Sequence, residues 1–94
     1  MNPREKNTNL IQSVGNASRL KILLALWKSS GELRLYKICQ NTGLERSSVQ
    51  RHLNNLVENG LVNKKIYGQI VLYSINRDNP KMNALATFFK QAEL

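Results

Sequence analysis

Hydrophobic positions along the chain recur first with a helical and then with an alternating period, and the change falls at Gly60. Asn2-Pro3 has the order of a helix start, and Leu10, Ile11 and Val14 form a narrow apolar strip before Gly15, which predicts a short first helix over about 3–15. Asn16 is placed to cap a second helix, in which Leu20, Leu23, Leu24 and Trp27 keep the i, i+3, i+4, i+7 spacing of a buried face. Ile22 and Leu26 widen that face, so the helix belongs at the centre of the domain until Ser29, Ser30 and Gly31 break it. A brief extended piece, Glu32 to Leu35, leads to a third helix over Tyr36 to Thr42, with Leu35, Ile38 and Cys39 pointing one way and Gly43 ending it.

The next stretch, LERSSVQRHLNNL from Leu44 to Leu56, sets Val49, Leu53 and Leu56 at helical spacing with Val57 beside them. The opposite side carries Ser47, Gln50, Arg51 and Asn54, whose hydroxyl, amide and guanidinium groups hydrogen-bond to phosphates and base edges. Gly43 to Arg46 is the turn, Glu45 sits where a negative charge suits the helix dipole, and Gly60 closes the helix. Leu61 to Tyr67 and Ile70 to Ile75 then alternate as two strands joined by the two-residue turn Gly68-Gln69. Asn79-Pro80 repeats the cap-plus-proline start, and Met82, Leu85, Ala86 and Phe89 stripe a terminal helix over about 80–93. The predicted fold class is mainly α with a small β-hairpin (α+β): three helices, a recognition helix, a hairpin wing and a last helix. This winged helix-turn-helix places the helix-turn-helix at 36–59 and the wing at 61–75 of a single domain, 1–94.

Charge then narrows the partner. Fourteen Lys and Arg stand against six Asp and Glu, a net charge of +8 in 94 residues, and nothing acidic lies between Glu58 and Asp78. Such a balance favours a polyanion through counterion release, without separating DNA from RNA or an anionic membrane surface. A domain this small buries only about 60 to 70% of its unfolded surface, which disfavours a large cofactor cavity. No apolar run approaches ~18 residues and the polar start MNPREKNTN lacks a leader's apolar core, so a soluble, cytoplasmic protein is expected. Cys39, the one cysteine, forms no internal disulfide, in keeping with a reducing compartment.

With this element order the chain resembles the ArsR-like branch of winged-helix transcriptional regulators. The likeness is carried by NASRLKILLAL at Asn16 to Leu26, LERSSVQRHLNNLVENGLV at Leu44 to Val62 and YGQIVLYSI at Tyr67 to Ile75. They match the family's D-P-x-R-x-x-I-L-x-x-L, L-S-x-S-x-V-S-x-H-L-x-x-L-x-x-x-G-L-V and G-x-x-V-Y-Y-x-L patterns. The resemblance implies a recognition helix in the major groove, a hairpin on the adjacent backbone, and a twofold dimer built by the first and last helices. Residue by residue it implies DNA contact by Ser47, Ser48, Gln50 and Arg51, and wing contact by Lys64, Lys65 and Gln69. Many relatives sense metals through an E-L-C-V-C-D-L box. Here that segment is Glu32-Leu33-Arg34-Leu35-Tyr36-Lys37-Ile38, both thiol positions are lost, and Cys39 with His52 falls short of the three or four ligands such a site needs. No metal and no cofactor are expected. The family's frequent serine is replaced at Gln50 by a longer amide, suited to pairing with adenine.

The resulting expectation is a homodimeric, sequence-specific double-stranded DNA-binding regulator on an imperfect palindrome, its two recognition helices ~34 Å apart in successive major grooves. Gln50, Arg51, Arg46 and Asn54 would choose bases while the wing and helix N-termini hold phosphates. The dimer candidates are Leu10, Ile11, Val14, Met82, Leu85, Phe88 and Phe89, the last two because a single terminal helix has more aromatic surface there than it can bury alone. Plainer roles compete: Gln50 and Arg51 as a solvated face, one of Lys64 and Lys65 as an edge-strand guard against aggregation, His52 as packing, and Cys39 as a small buried hydrophobe. A protein-protein interaction module is the alternative, disfavoured by the polar outer face of the recognition helix. Catalysis finds no Cys-His pair, glycine-rich phosphate loop or carboxylate pair. RNA reading from a sheet finds only Tyr67.

Overall fold

Asn16 caps the first helix through its Oδ1, which accepts from the backbone N–H groups of Ser18 (2.9 Å) and Arg19 (3.2 Å). The computed structural model describes residues 15–29 and 31–94, so the helix expected over 3–15, with Leu10, Ile11 and Val14, lies outside the described residues. The capped helix, α1, runs Ala17–Ser29. Its fully buried positions are Ile22, Leu23 and Leu26, while Leu20, Leu24 and Trp27 pack only partly against the core. The buried stripe is thus shifted from the expected one, because α1 is covered from the Ile22–Leu26 side by the next two helices and the second strand.

Helix α2, Leu35–Thr42, starts one residue earlier than expected and ends at Gly43, whose φ of 71° suits glycine and whose N–H donates to the Cys39 carbonyl at 2.8 Å. Helix α3, Arg46–Glu58, buries Val49, His52, Leu53 and Leu56. It stops through a paired hydrogen-bond motif: the Gly60 N–H donates to the Val57 carbonyl and the Leu61 N–H to the Leu56 carbonyl, each at 3.0 Å. Gly60 takes φ 78° there. The Asn76 and Asn79 side-chain amides both donate to the Gly60 carbonyl, at 2.8 and 3.0 Å, tying the end of α3 to the start of the last helix.

The hairpin pairs β1, Val62–Tyr67, with β2, Ile70–Ile75, in antiparallel register from Val62 opposite Ile75 to Tyr67 opposite Ile70. Gly68 takes φ 61°, the positive value required at the first position of a II′ loop. Part of the expected extended piece joins this sheet: Leu33 and Tyr73 exchange two backbone hydrogen bonds of 2.9 Å. That bridge sets the entrance of α2 beside the wing. Helix α4, Pro80–Gln91, is capped by Asn79, whose side chain accepts from the Lys81 N–H. It buries Met82 and Phe89, and the Phe89 ring meets Trp27 at a centroid distance of 5.6 Å.

Candidate nucleic-acid interface

Burial of Val49, Leu53 and Leu56 decides which way α3 faces. With that stripe in the core, Arg46, Ser47, Arg51 and Asn54 are exposed, and Ser48 and Gln50 are half-buried at the edge of the outer face. Strand pairing separates the two wing lysines. Lys64 lies opposite Tyr73 and Lys65 opposite Leu72, and successive strand positions point to opposite faces of the hairpin. Lys64 consequently turns toward α3, and with Arg34, Tyr36, Arg46, Gln50 and Gln69 it lines a cleft of about 330 Å³ between α2, α3 and the wing. Three cationic side chains and no acidic one line this cleft.

Four residues expected to touch DNA, Arg46, Gln50, Lys64 and Gln69, are brought together in that cleft. Ser47, Arg51 and Asn54 continue the outer face of α3 beyond it, and Lys65 sits exposed on the other side of the hairpin. Arg34 and Tyr36 also line the cleft, although the sequence marks them only as lost thiol positions. Their placement depends on the Leu33–Tyr73 bridge, a pairing between residues forty positions apart that no local period encodes. The signal that was available is a cation immediately before a helix start.

Several of these side chains are already committed within the chain. Glu45 is the cap of α3: its carboxylate accepts from the Ser47 N–H at 3.2 Å and from the Ser48 hydroxyl at 3.2 Å, and it also accepts from the Ser47 hydroxyl. Hydrogen bonds from the Ser47 hydroxyl and backbone, with smaller ones from Ser48, hold its pKa below the ordinary carboxylate value against the opposing effect of desolvation. Gln50 Nε2 donates to Asn54 Oδ1 at 3.0 Å and to the Tyr73 hydroxyl at 3.2 Å. An amide nitrogen has two hydrogens, so the two-point pair with adenine open to a free glutamine requires a donor that here is in use.

His52 faces the interior. Arg19 Nε donates to its Nδ1 at 3.1 Å, linking α1 to α3 and leaving the ring proton on Nε2. Burial, with the charges of Arg19 and Arg51, pushes its pKa below the ordinary 6.5. Cys39 is half-buried against the core. Among the described residues no three His, Cys, Asp or Glu side chains gather as metal ligands, and no helix is long and apolar enough to cross a membrane. Of the dimer candidates, Met82 and Phe89 are fully buried within one chain, Leu85 is half-buried, and Phe88 is 54% exposed.

The sequence profile of the bacterial regulatory proteins of the arsR family matches residues 16–64. No curated protein sequence gives a match. Among solved structures the chain is similar to HlyU from Vibrio cholerae, with 26% identity, a TM-score of 0.80, and coverage of 98% of this chain and 97% of that one. It is similar to the transcriptional repressor PagR of Bacillus anthracis, at 28% identity and a TM-score of 0.76 over 92% of this chain and 94% of that one. The homodimeric winged helix-turn-helix DNA-binding domain of Mb0332 from Mycobacterium bovis shares the fold, at 22% identity and a TM-score of 0.77 over 96% and 80% of the two chains.

Proposed function

Because the chain belongs to the ArsR family of bacterial regulatory proteins, winged-helix DNA-binding regulators of transcription rather than enzymes, we propose that it acts in the cytoplasm as a homodimer on a palindromic double-stranded site. One observation carries this reading: the apolar stripe of α3 is fully buried while its cationic, amide-bearing face opens beside a cleft lined by Arg34, Arg46 and Lys64. In the proposed complex α3 enters the major groove, with Arg51, Gln50, Asn54 and Arg46 against base edges. Arg34, Lys64 and Gln69 hold the flanking backbone, joined by Lys65 from the outer side of the wing, and Ser47 and Ser48 complete the contact surface at the start of α3.

The whole of 1–94 is proposed as one domain, with 3–15 and 80–93 making the twofold contact. Support for the dimer comes from Phe88, exposed on α4, and from the fold shared with the homodimeric domain of Mb0332. A protein-docking module is the second reading, favoured by Ile66, Tyr67 and Ile70, which stand exposed at the tip of the wing. Selection from random duplexes at low and high salt separates the two. The regulator enriches an inverted repeat whose half-sites lie about one helical turn apart, and its affinity falls steeply with salt; a docking module enriches no sequence at either salt.

A further inference from the structure

Hydrogen-bond polarity along the start of α3 goes beyond assigning that helix to DNA. A carboxylate only accepts, so the bonds between Glu45 and the hydroxyls of Ser47 and Ser48 consume the single hydrogen that each serine has to give. Both hydrogens of the Gln50 amide nitrogen are spent on Asn54 and Tyr73. Apart from the exposed Arg46 guanidinium, what the side chains of this stretch leave for a partner is a carboxylate, two hydroxyl oxygens with lone pairs outward, and a carbonyl oxygen. Phosphate oxygens are acceptors and negative, so the Glu45 cap repels the DNA backbone at a helix start that would ordinarily attract it. The family pattern has serine at this position, a cap without the charge.

In the major groove only cytosine N4 and adenine N6 offer hydrogens. Adenine sets the acceptor N7 beside its amino group, against which a carboxylate is repelled; cytosine does not. We propose that Glu45 is a specificity-determining residue, which with Ser47, Ser48 and the Tyr73-held Gln50 makes the start of α3 an acceptor surface that selects cytosine through its N4 amino group. This rests on the placement of α3 in the major groove and names the base chemistry it reads there. Arg46, next to Glu45 at the start of the helix, and Arg51, beyond Gln50, supply the attraction that keeps a negative group close to DNA.

The test is selection from random duplexes with the full chain and with Glu45→Gln and Glu45→Ser, circular dichroism confirming that each variant is folded. Glu45→Ser keeps a good cap and so guards against a folding defect. The native chain is expected to enrich cytosine at one position in each half-site, and both variants to lose about tenfold of that preference. Glu45→Ser also gains affinity for random duplex and a steeper salt dependence, as a helix start open to phosphate would. Tyr73→Phe, which keeps the ring and returns one hydrogen to Gln50, should raise adenine at a neighbouring position. Unchanged cytosine preference in both Glu45 variants, or an inverted repeat with no cytosine position in the native chain, overturns the proposal while leaving the regulator reading intact. Failure of the native chain to enrich any duplex removes both.

Discussion

Arg51 and Lys64 are both cations near the proposed groove, yet their surroundings give them different work. Arg51 stands exposed on the face of α3 opposite Val49 and Leu53, where a guanidinium reaches two acceptors of a guanine at once. Arg51→Ala is expected to cost about 1–3 kcal/mol on the selected site and to relax preference at one position, whereas Lys64→Ala weakens selected and random duplexes alike. Fluorescence anisotropy with both duplexes reads the difference, and equal losses for Arg51→Ala would remove it from the base-reading set. Lys65→Ala should change affinity less than Lys64→Ala, because only Lys64 shares the cleft with Arg34 and Arg46. The sequence could not separate these two lysines until the register was known. Similarly, the outward stripe of α3 was legible from Val49, Leu53 and Leu56, but the hold of Tyr73 on Gln50 was not: those residues meet only after the wing folds over α3.

His52 makes a second test at this scale. The folded chain holds its pKa below 6.5 through burial and the charges of Arg19 and Arg51. Below 6.5 the unfolded chain therefore binds more protons than the folded one. Its contribution to stability is complete above that pH and is lost as pH falls from there through the depressed folded value. Melting temperatures between pH 8 and 5 should show this fall, and His52→Gln should flatten it; an equal slope in both proteins would place the titration elsewhere.

At the scale of elements, boundaries written in single residues were the most readable. Gly43, Gly60, Gly68 and the Asn79-Pro80 pair each end or begin an element within about a residue of where the sequence puts them, because each imposes its own backbone geometry. Gly60 also joins elements, since its carbonyl accepts from Asn76 and Asn79 at the start of α4. A Cβ at Gly60 would sit 3.3 Å from the Asn79 amide nitrogen with φ at 78°. Gly60→Ala is expected to destabilise the fold by about 1–2 kcal/mol from the left-handed backbone alone, read by urea unfolding; an unchanged midpoint would contradict this role. Less readable was the side of α1 that becomes the centre. Its apolar residues surround most of the helix, so burial of Ile22, Leu23 and Leu26 rather than Leu20 and Trp27 follows from how α2 and α3 pack, not from spacing.

For the molecule as a whole, charge and element order pointed to a polyanionic partner, while the proposed subunit contact was less legible. Phe88 and Phe89 together suggested more aromatic surface than α4 can bury. One chain in fact buries Phe89 against Trp27 and leaves Phe88 outside. Phe88→Asp is therefore expected to yield a folded monomer by sedimentation, whereas a Phe89 substitution should unfold the chain. A Phe88→Asp protein that remains dimeric would remove Phe88 from the proposed contact.

A regulator of this build must meet duplex DNA with the outer face of α3 and its cleft. Backbone amide shifts of the isotopically labelled chain, followed as the selected duplex is added, test it most directly. Changes are expected to centre on 45–54, with others at 34–36 and 64–70, and little change across the interior of α1. Changes confined to α4 or the wing tip, with α3 silent at saturating duplex, would contradict it.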